Sequence, residues 1–184
     1  LLEGQRAILE AMTLPTASPL LRRAPRGDGH PVLVLPGFGT GDGSTAVLRR
    51  YLKRQVITLG SPFGDVARPS NVSRFFRRVP GNPGRERTNQ FSRALRRPPD
   101  VPCTAIFSRS DGIVHWSACL EPATDHTENI RVPGSHIGLG VNPLVLYAVA
   151  DRLSQAVGEW KPFDRSGWRR HLYREAPPAF DRGD

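Results

Sequence analysis

Short apolar runs recur along the chain, each ended abruptly by glycine, proline or a small polar residue. Val32-Leu33-Val34-Leu35 stops at Pro36-Gly37, and Gln55-Val56-Ile57-Thr58-Leu59 stops at Gly60-Ser61-Pro62. Cys103 to Ser108 gives way to Arg109-Ser110-Asp111-Gly112, and Glu128 to Val132 runs into Pro133-Gly134-Ser135-His136. Runs this short, bounded by turn residues, predict strands buried on both faces, as in a parallel sheet. Helical periodicity appears between and around them. Thr45 to Lys53 sets Ala46, Val47, Leu48, Tyr51 and Leu52 against Arg49, Arg50 and Lys53, and Val141 to Val157 is the longest such stretch, with Asn142-Pro143 near its start and Gly158 after it. Leu1 to Met12 carries Leu2, Ala7, Ile8 and Ala11 at helical spacing, then passes into an irregular arm through Pro15, Ser18 and Pro19. The alternation predicts an α/β fold: a mainly parallel sheet of about four strands flanked by helices, with its chemistry at the carboxyl ends of the strands.

The loop after the first strand is rich in glycine. Gly37, Gly39, Gly41 and Gly43 permit sharp turns and expose backbone N–H groups, and Ser44 is placed to cap the next helix. At Lys53-Arg54-Gln55 that helix runs into the second strand without turn residues, where a reversal of roughly two to six residues is usual. From 62 to 102 the composition shifts to Arg, Pro, Gly and Asn around Phe75, Phe76 and Phe91, which reads either as a lid inserted after a strand or as a solvated insertion. The expected organisation is a helix and arm over 1–29, a domain over 30–157 with the insertion at 62–102, and a tail over 158–184. That tail, with Trp160, Phe163, Trp168 and Tyr173 among arginines, is expected to lie over the surface.

At 184 residues the chain suits a single domain whose core needs no metal or disulfide. Lys+Arg number 26 against 17 Asp+Glu, a net charge of +9. This charge would suit an anionic partner, but no basic recognition motif accompanies it, so nucleic acid is not the expected partner. Cys103 and Cys119 show neither C-x-x-C spacing nor a cluster of histidines around them, and no metal or cofactor is expected. The two could pair in an oxidising compartment and would be buried thiols in a reducing one. No apolar run approaches the roughly 18 to 20 residues that span a bilayer, and no basic-then-apolar export pattern opens the sequence, so the cytoplasm is the expected location.

Asp111 and His136 stand just past the ends of successive predicted strands. In a parallel sheet those ends share one edge, so the two side chains can meet although they are far apart in sequence. A carboxylate bonded to one imidazole nitrogen fixes the tautomer and leaves the other as a general base. Each residue also has a simpler role, Asp111-Gly112 as a turn and His136 as a hydrogen-bonded loop residue. Ser61 ends its strand on the same edge and is the substitute nucleophile, although Pro62 has no backbone N–H to offer an oxyanion. Ser44 reads as a cap, and Cys103 lies at the opposite edge.

HPVLVLPGF, QVITLGSPF, TAIFSRSDGIVHW and ENIRVPGSHIGLGVNP, in that order, resemble the α/β-hydrolase family, in particular lipase- and esterase-like hydrolases of actinobacteria. The likeness covers most of residues 30 to 157. It implies hydrolysis of a small acyl ester or lipid-like substrate through an acyl-enzyme, with Asp111 as triad acid, His136 as triad base, and Gly37, Phe38 and Gly39 around the oxyanion. The chain departs from the family in one respect, since it contains no G-x-S-x-G. In Gly60-Ser61-Pro62-Phe63-Gly64 and in Gly134-Ser135-His136-Ile137-Gly138 the serine stands one place early. The missing segment would fall at Arg54-Gln55, which leaves a truncated hydrolase with Val32–Leu35 beside Val56–Leu59. The alternative is a non-catalytic member of the fold that binds a small acyl compound or a protein partner.

Overall fold

The computed structural model describes residues 2–26, 55–62, 101–156, 158–174 and 176. The first predicted strand, the glycine loop with Gly37, Phe38 and Gly39, the helix from Thr45 and nearly all of the arginine-rich insertion lie outside the described residues.

Among the described residues, three strands form one parallel sheet in the order β1 (Val56–Leu59), β2 (Cys103–Phe107), β3 (Thr127–Arg131). Val56 is in register with Cys103, and Cys103 with Thr127. The strands therefore begin level and end at one edge. Both ladders run one bond past the strands, from Gly60 N–H to the Ile106 carbonyl at 2.9 Å and from Val132 N–H to the Phe107 carbonyl at 3.0 Å. Every residue of β2 is buried, as a strand flanked by two others and covered on both faces requires. Its period of two sends Ile106 to one face and Phe107 to the other. Ile106 joins Ile130, Val132, Leu139, Val145, Tyr147 and Ala148, while Phe107 packs with Val114, Ala118, Cys119 and Leu120.

Helix α3 (Pro143–Leu153) covers the first of these faces. The Asn142 side chain accepts a hydrogen bond from Leu144 N–H at 2.9 Å, and Pro143 occupies the first turn, where its missing N–H costs nothing. The helix is shorter than the predicted 141–157 and ends at Ser154, not at Gly158. Near the amino edge of the sheet its Arg152 forms a buried ion pair with Glu128 at 2.7 Å, and Glu128 also accepts from Thr104 Oγ and Phe163 N–H.

One expectation is corrected. The segment after 158 does not simply lie over the surface, because Phe163 and Tyr173 are buried in the main core, with ring centroids 4.7 Å apart, and the Tyr173 hydroxyl donates to the Leu144 carbonyl. Helix α4 (Arg169–Leu172), between them, has no buried residue. The amino-terminal helix α1 (Glu3–Met12) forms where predicted; Leu2, Ile8, Leu9 and Met12 are exposed, while Glu3, Arg6 and Glu10 turn inward beside the half-buried Ala7 and Ala11. The arm after it includes a further helical turn, α2 (Ser18–Arg22), whose Leu20 and Leu21 pack on the core. Cys103 and Cys119 are both buried and are not joined to each other. No helix among the described residues is long and apolar enough to cross a membrane.

Candidate active site

Each strand ends in a loop that contributes to one site. After β2 the chain turns at Ser108–Asp111, and the Asp111 carboxylate folds back on its own loop. Its Oδ1 accepts from Ile113 N–H at 2.8 Å and from Val114 N–H at 2.7 Å. This local arrangement is typical of Asp in a turn, and it leaves Oδ2 aimed at the next loop. After β3, Pro133 to Ser135 lead into a 3-10 turn at Ile137–Val141, and His136 precedes that turn. Its Nδ1 lies 2.7 Å from Asp111 Oδ2.

Burial distinguishes this pair. The Asp111 side chain is 1 % exposed and that of His136 is 19 % exposed. His126 and Asp125 meet at the same 2.7 Å, yet Asp125 is 96 % exposed. The His126 hydrogen bond and charge hold the Asp125 carboxyl below its usual range, but the two are adjacent in sequence and their contact links no separate loops. At Asp111 the carboxylate is held by three donors in a site closed to water, and an ionised carboxylate can only accept, so the proton of neutral His136 belongs on Nδ1. Nε2 is then the nitrogen with a lone pair to offer.

Gly60, directly after β1, lies against this pair. It adopts φ +59°, and a Cβ there would stand 3.2 Å from both Asp111 Oδ2 and His136 Nδ1 and 3.0 Å from Leu139 Cδ1. Glycine is required for the left-handed backbone and for the close approach. Ser61 comes next at the same edge, partly exposed, and among the described residues no hydrogen bond joins it to His136. Cys119 is no substitute nucleophile. Burial, with Asp111's charge adding to it, pushes its thiol up to about 12, so it stays protonated and unreactive at neutral pH. Among the described residues no group of three His, Cys, Asp or Glu side chains could hold a metal ion.

Three residues at this site escape a reading based on apolar periodicity. Glu3 Oε2 accepts from His136 N–H at 2.7 Å and its Oε1 from Gly112 N–H at 3.0 Å. Arg6 donates to the carbonyls of Ser110 at 2.7 Å and Gly134 at 3.1 Å. Glu10 accepts from Ser135 N–H at 2.6 Å and Asn142 Nδ2 at 3.2 Å. Spacings of three and four place them on one face of α1, and that polar stripe is the signal in the sequence that would have found them.

No family model matches the chain, and neither a curated protein sequence nor a solved structure matches it. The arrangement can be interpreted only through its chemistry. A buried acceptor, an oriented imidazole and a partly open face together supply general acid–base capacity at the carboxyl edge of a parallel sheet.

Proposed function

We propose that this chain is an α/β-hydrolase-like protein in which Asp111 and His136 perform the acid–base steps in hydrolysis of a small acyl ester. The observation that carries the reading is the buried Asp111 carboxylate, pinned by two backbone N–H groups and bonded through its remaining oxygen to His136 Nδ1. Asp111 orients the ring and stabilises the imidazolium formed when Nε2 takes a proton from the attacking group, and His136 returns that proton to the departing alkoxide. Ser61 is the candidate attacking group, since it directly succeeds Gly60, which abuts the pair. In this reading Val32–Leu35 is a fourth strand, Gly37, Phe38 and Gly39 form the oxyanion loop, 62–102 is a lid, and the protein acts in the cytoplasm.

The test is hydrolysis of p-nitrophenyl acetate and butyrate by the full chain. Loss of turnover in both His136→Ala and Asp111→Asn supports the proposal, and undiminished turnover in His136→Ala overturns it. Labelling by a fluorophosphonate that disappears in Ser61→Ala identifies the nucleophile. A second reading, a non-catalytic protein that binds an acyl compound, is favoured by the lack of any G-x-S-x-G in the sequence. It predicts saturable binding of a non-hydrolysable acyl phosphonate without ester turnover.

A further inference from the structure

The ladder between β2 and β3 makes its last backbone bond from Val132 N–H to the Phe107 carbonyl. Beyond it, the loops 108–112 and 133–136 must keep Asp111 and His136 in contact without further backbone pairing among the described residues. On the carbonyl side, Ser108 Oγ and Ser110 Oγ reach the Gly134 carbonyl at 2.7 and 3.0 Å. The other bridges come from α1. Glu3 takes the N–H of Gly112, next to the acid, and the N–H of His136 itself, one on each carboxylate oxygen. Arg6 takes the carbonyls of Ser110 and Gly134, and it is paired with Glu3 at 2.9 Å. Each of the two side chains therefore spans both loops, and together they do for the loops what one more rung of ladder would do for strands.

The loop sequence accommodates this contact. A Cβ on Gly112 would lie 2.5 Å from Glu3 Oε1, so glycine at 112 is what lets the carboxylate in. Glu10 differs in kind, because among the described residues its hydrogen bonds go to Ser135 and Asn142, both on the histidine side. It docks the helix without linking the loops.

We propose that Glu3 and Arg6 are positioning residues that set the separation and orientation of the Asp111–His136 pair. The proposal deepens the hydrolase reading and rests on it for its kinetic consequence, while the geometric claim can be tested without turnover.

The experiment compares Glu3→Gln, Arg6→Met and Glu10→Gln in the full chain by three readouts: solvent exchange of the His136 Nδ1 proton by NMR, the melting temperature, and kcat and KM on p-nitrophenyl butyrate. Glu3→Gln keeps the shape but offers one acceptor for two N–H groups. The expected result is exchange at least about tenfold faster in Glu3→Gln and Arg6→Met, with a similar fall in kcat and little change in KM. Glu10→Gln is expected to lower the melting temperature comparably and leave the exchange rate within about twofold. Gly112→Ala retains every charge and drives a methyl into the Glu3 carboxylate. It is expected to reproduce the Glu3→Gln exchange phenotype, and it decides the matter if Glu3→Gln fails to fold. Equal melting losses in all the α1 variants with an unchanged Nδ1 proton would show a simple brace and overturn the proposal. If His136→Ala leaves ester turnover intact, the hydrolase reading fails alone, and the exchange data still decide the role of Glu3 and Arg6.

Discussion

Asp111→Asn is the substitution that probes the site most directly, because the two side chains have nearly the same shape and differ in what they can accept. The carboxylate accepts three hydrogen bonds at 2.7 to 2.8 Å in a position that is 1 % exposed. Oδ1 faces two N–H groups that cannot turn away, so the asparagine oxygen must occupy its place and the NH2 must face His136. The two backbone bonds persist but become neutral, which reduces each by about 1 kcal/mol. The third bond has to reverse, with the amide donating to Nδ1 and the imidazole proton moving to Nε2. Loss of that charge-assisted bond brings the expected destabilisation to about 2–4 kcal/mol, and the melting temperature should fall by about 5–15 °C for a chain of this size. Because the tautomer is now wrong for a base at Nε2, ester turnover should fall by about 10⁴-fold, the loss known for the same change in a serine-protease triad. Nitrogen–proton NMR of the His136 ring reads the tautomer directly, alongside a thermal melt. A parent protein that carries the proton on Nε2, or a variant that keeps it on Nδ1, would refute the assignment whatever the kinetics show.

Gly60→Ala should lose about 1–3 kcal/mol by denaturant titration, since it combines φ +59° with a Cβ 3.0 Å from Leu139 and 3.2 Å from both members of the pair; an alanine as stable as glycine would contradict that packing. Arg152→Ala should cost about 3–5 kcal/mol by leaving Glu128 buried without its cation, and the double change Arg152→Met with Glu128→Leu should recover only part of it in the same assay, because Thr104 Oγ and Phe163 N–H then lose their acceptor. Stability should also decline on the alkaline side. With Cys119 pushed up to about 12 from an ordinary 9.0, the folded state holds a proton that the unfolded state releases first, so the contribution is complete below about pH 9 and disappears as pH rises towards 12. Burial pushes the Tyr173 phenol up as well, which adds a decline of the same sign. Cys119→Ala should flatten part of this limb in melts taken from pH 8 to 11, and an unchanged slope would contradict the burial.

The described strands could be read from the sequence because apolar runs stop where glycine and proline force turns, and their observed limits differ from the expected ones by about one residue. Asp111 and His136 were legible as neighbours for a topological reason. In a parallel sheet with Phe107 level with Arg131, the loops leaving the two strands must emerge side by side. The facing of α1 was not legible by that logic. Apolar spacing predicts the helix but not its inward side, and here Glu3, Arg6 and Glu10, with Ala7 and Ala11, form that side because the three polar residues bind backbone groups more than 100 residues away. Phe163 and Tyr173 were obscured differently. They stand in an arginine-rich stretch whose average composition suggests solvent, while two aromatic rings packed on α3 are enough to anchor it.

The contacts of α1 also have a consequence for the order of assembly. Glu3 lies 109 residues from Gly112 and 133 from His136. At synthesis rates of about 5–20 residues per second, the helix segment leaves the ribosome on the order of ten seconds before either partner exists. A ten-residue helix is marginal by itself in water, so in the nascent chain this segment waits largely unfolded, with Leu2, Ile8, Leu9 and Met12 in solvent. Docking of this helix, and with it the final setting of the aspartate and histidine, has to wait for loops translated more than a hundred codons after it.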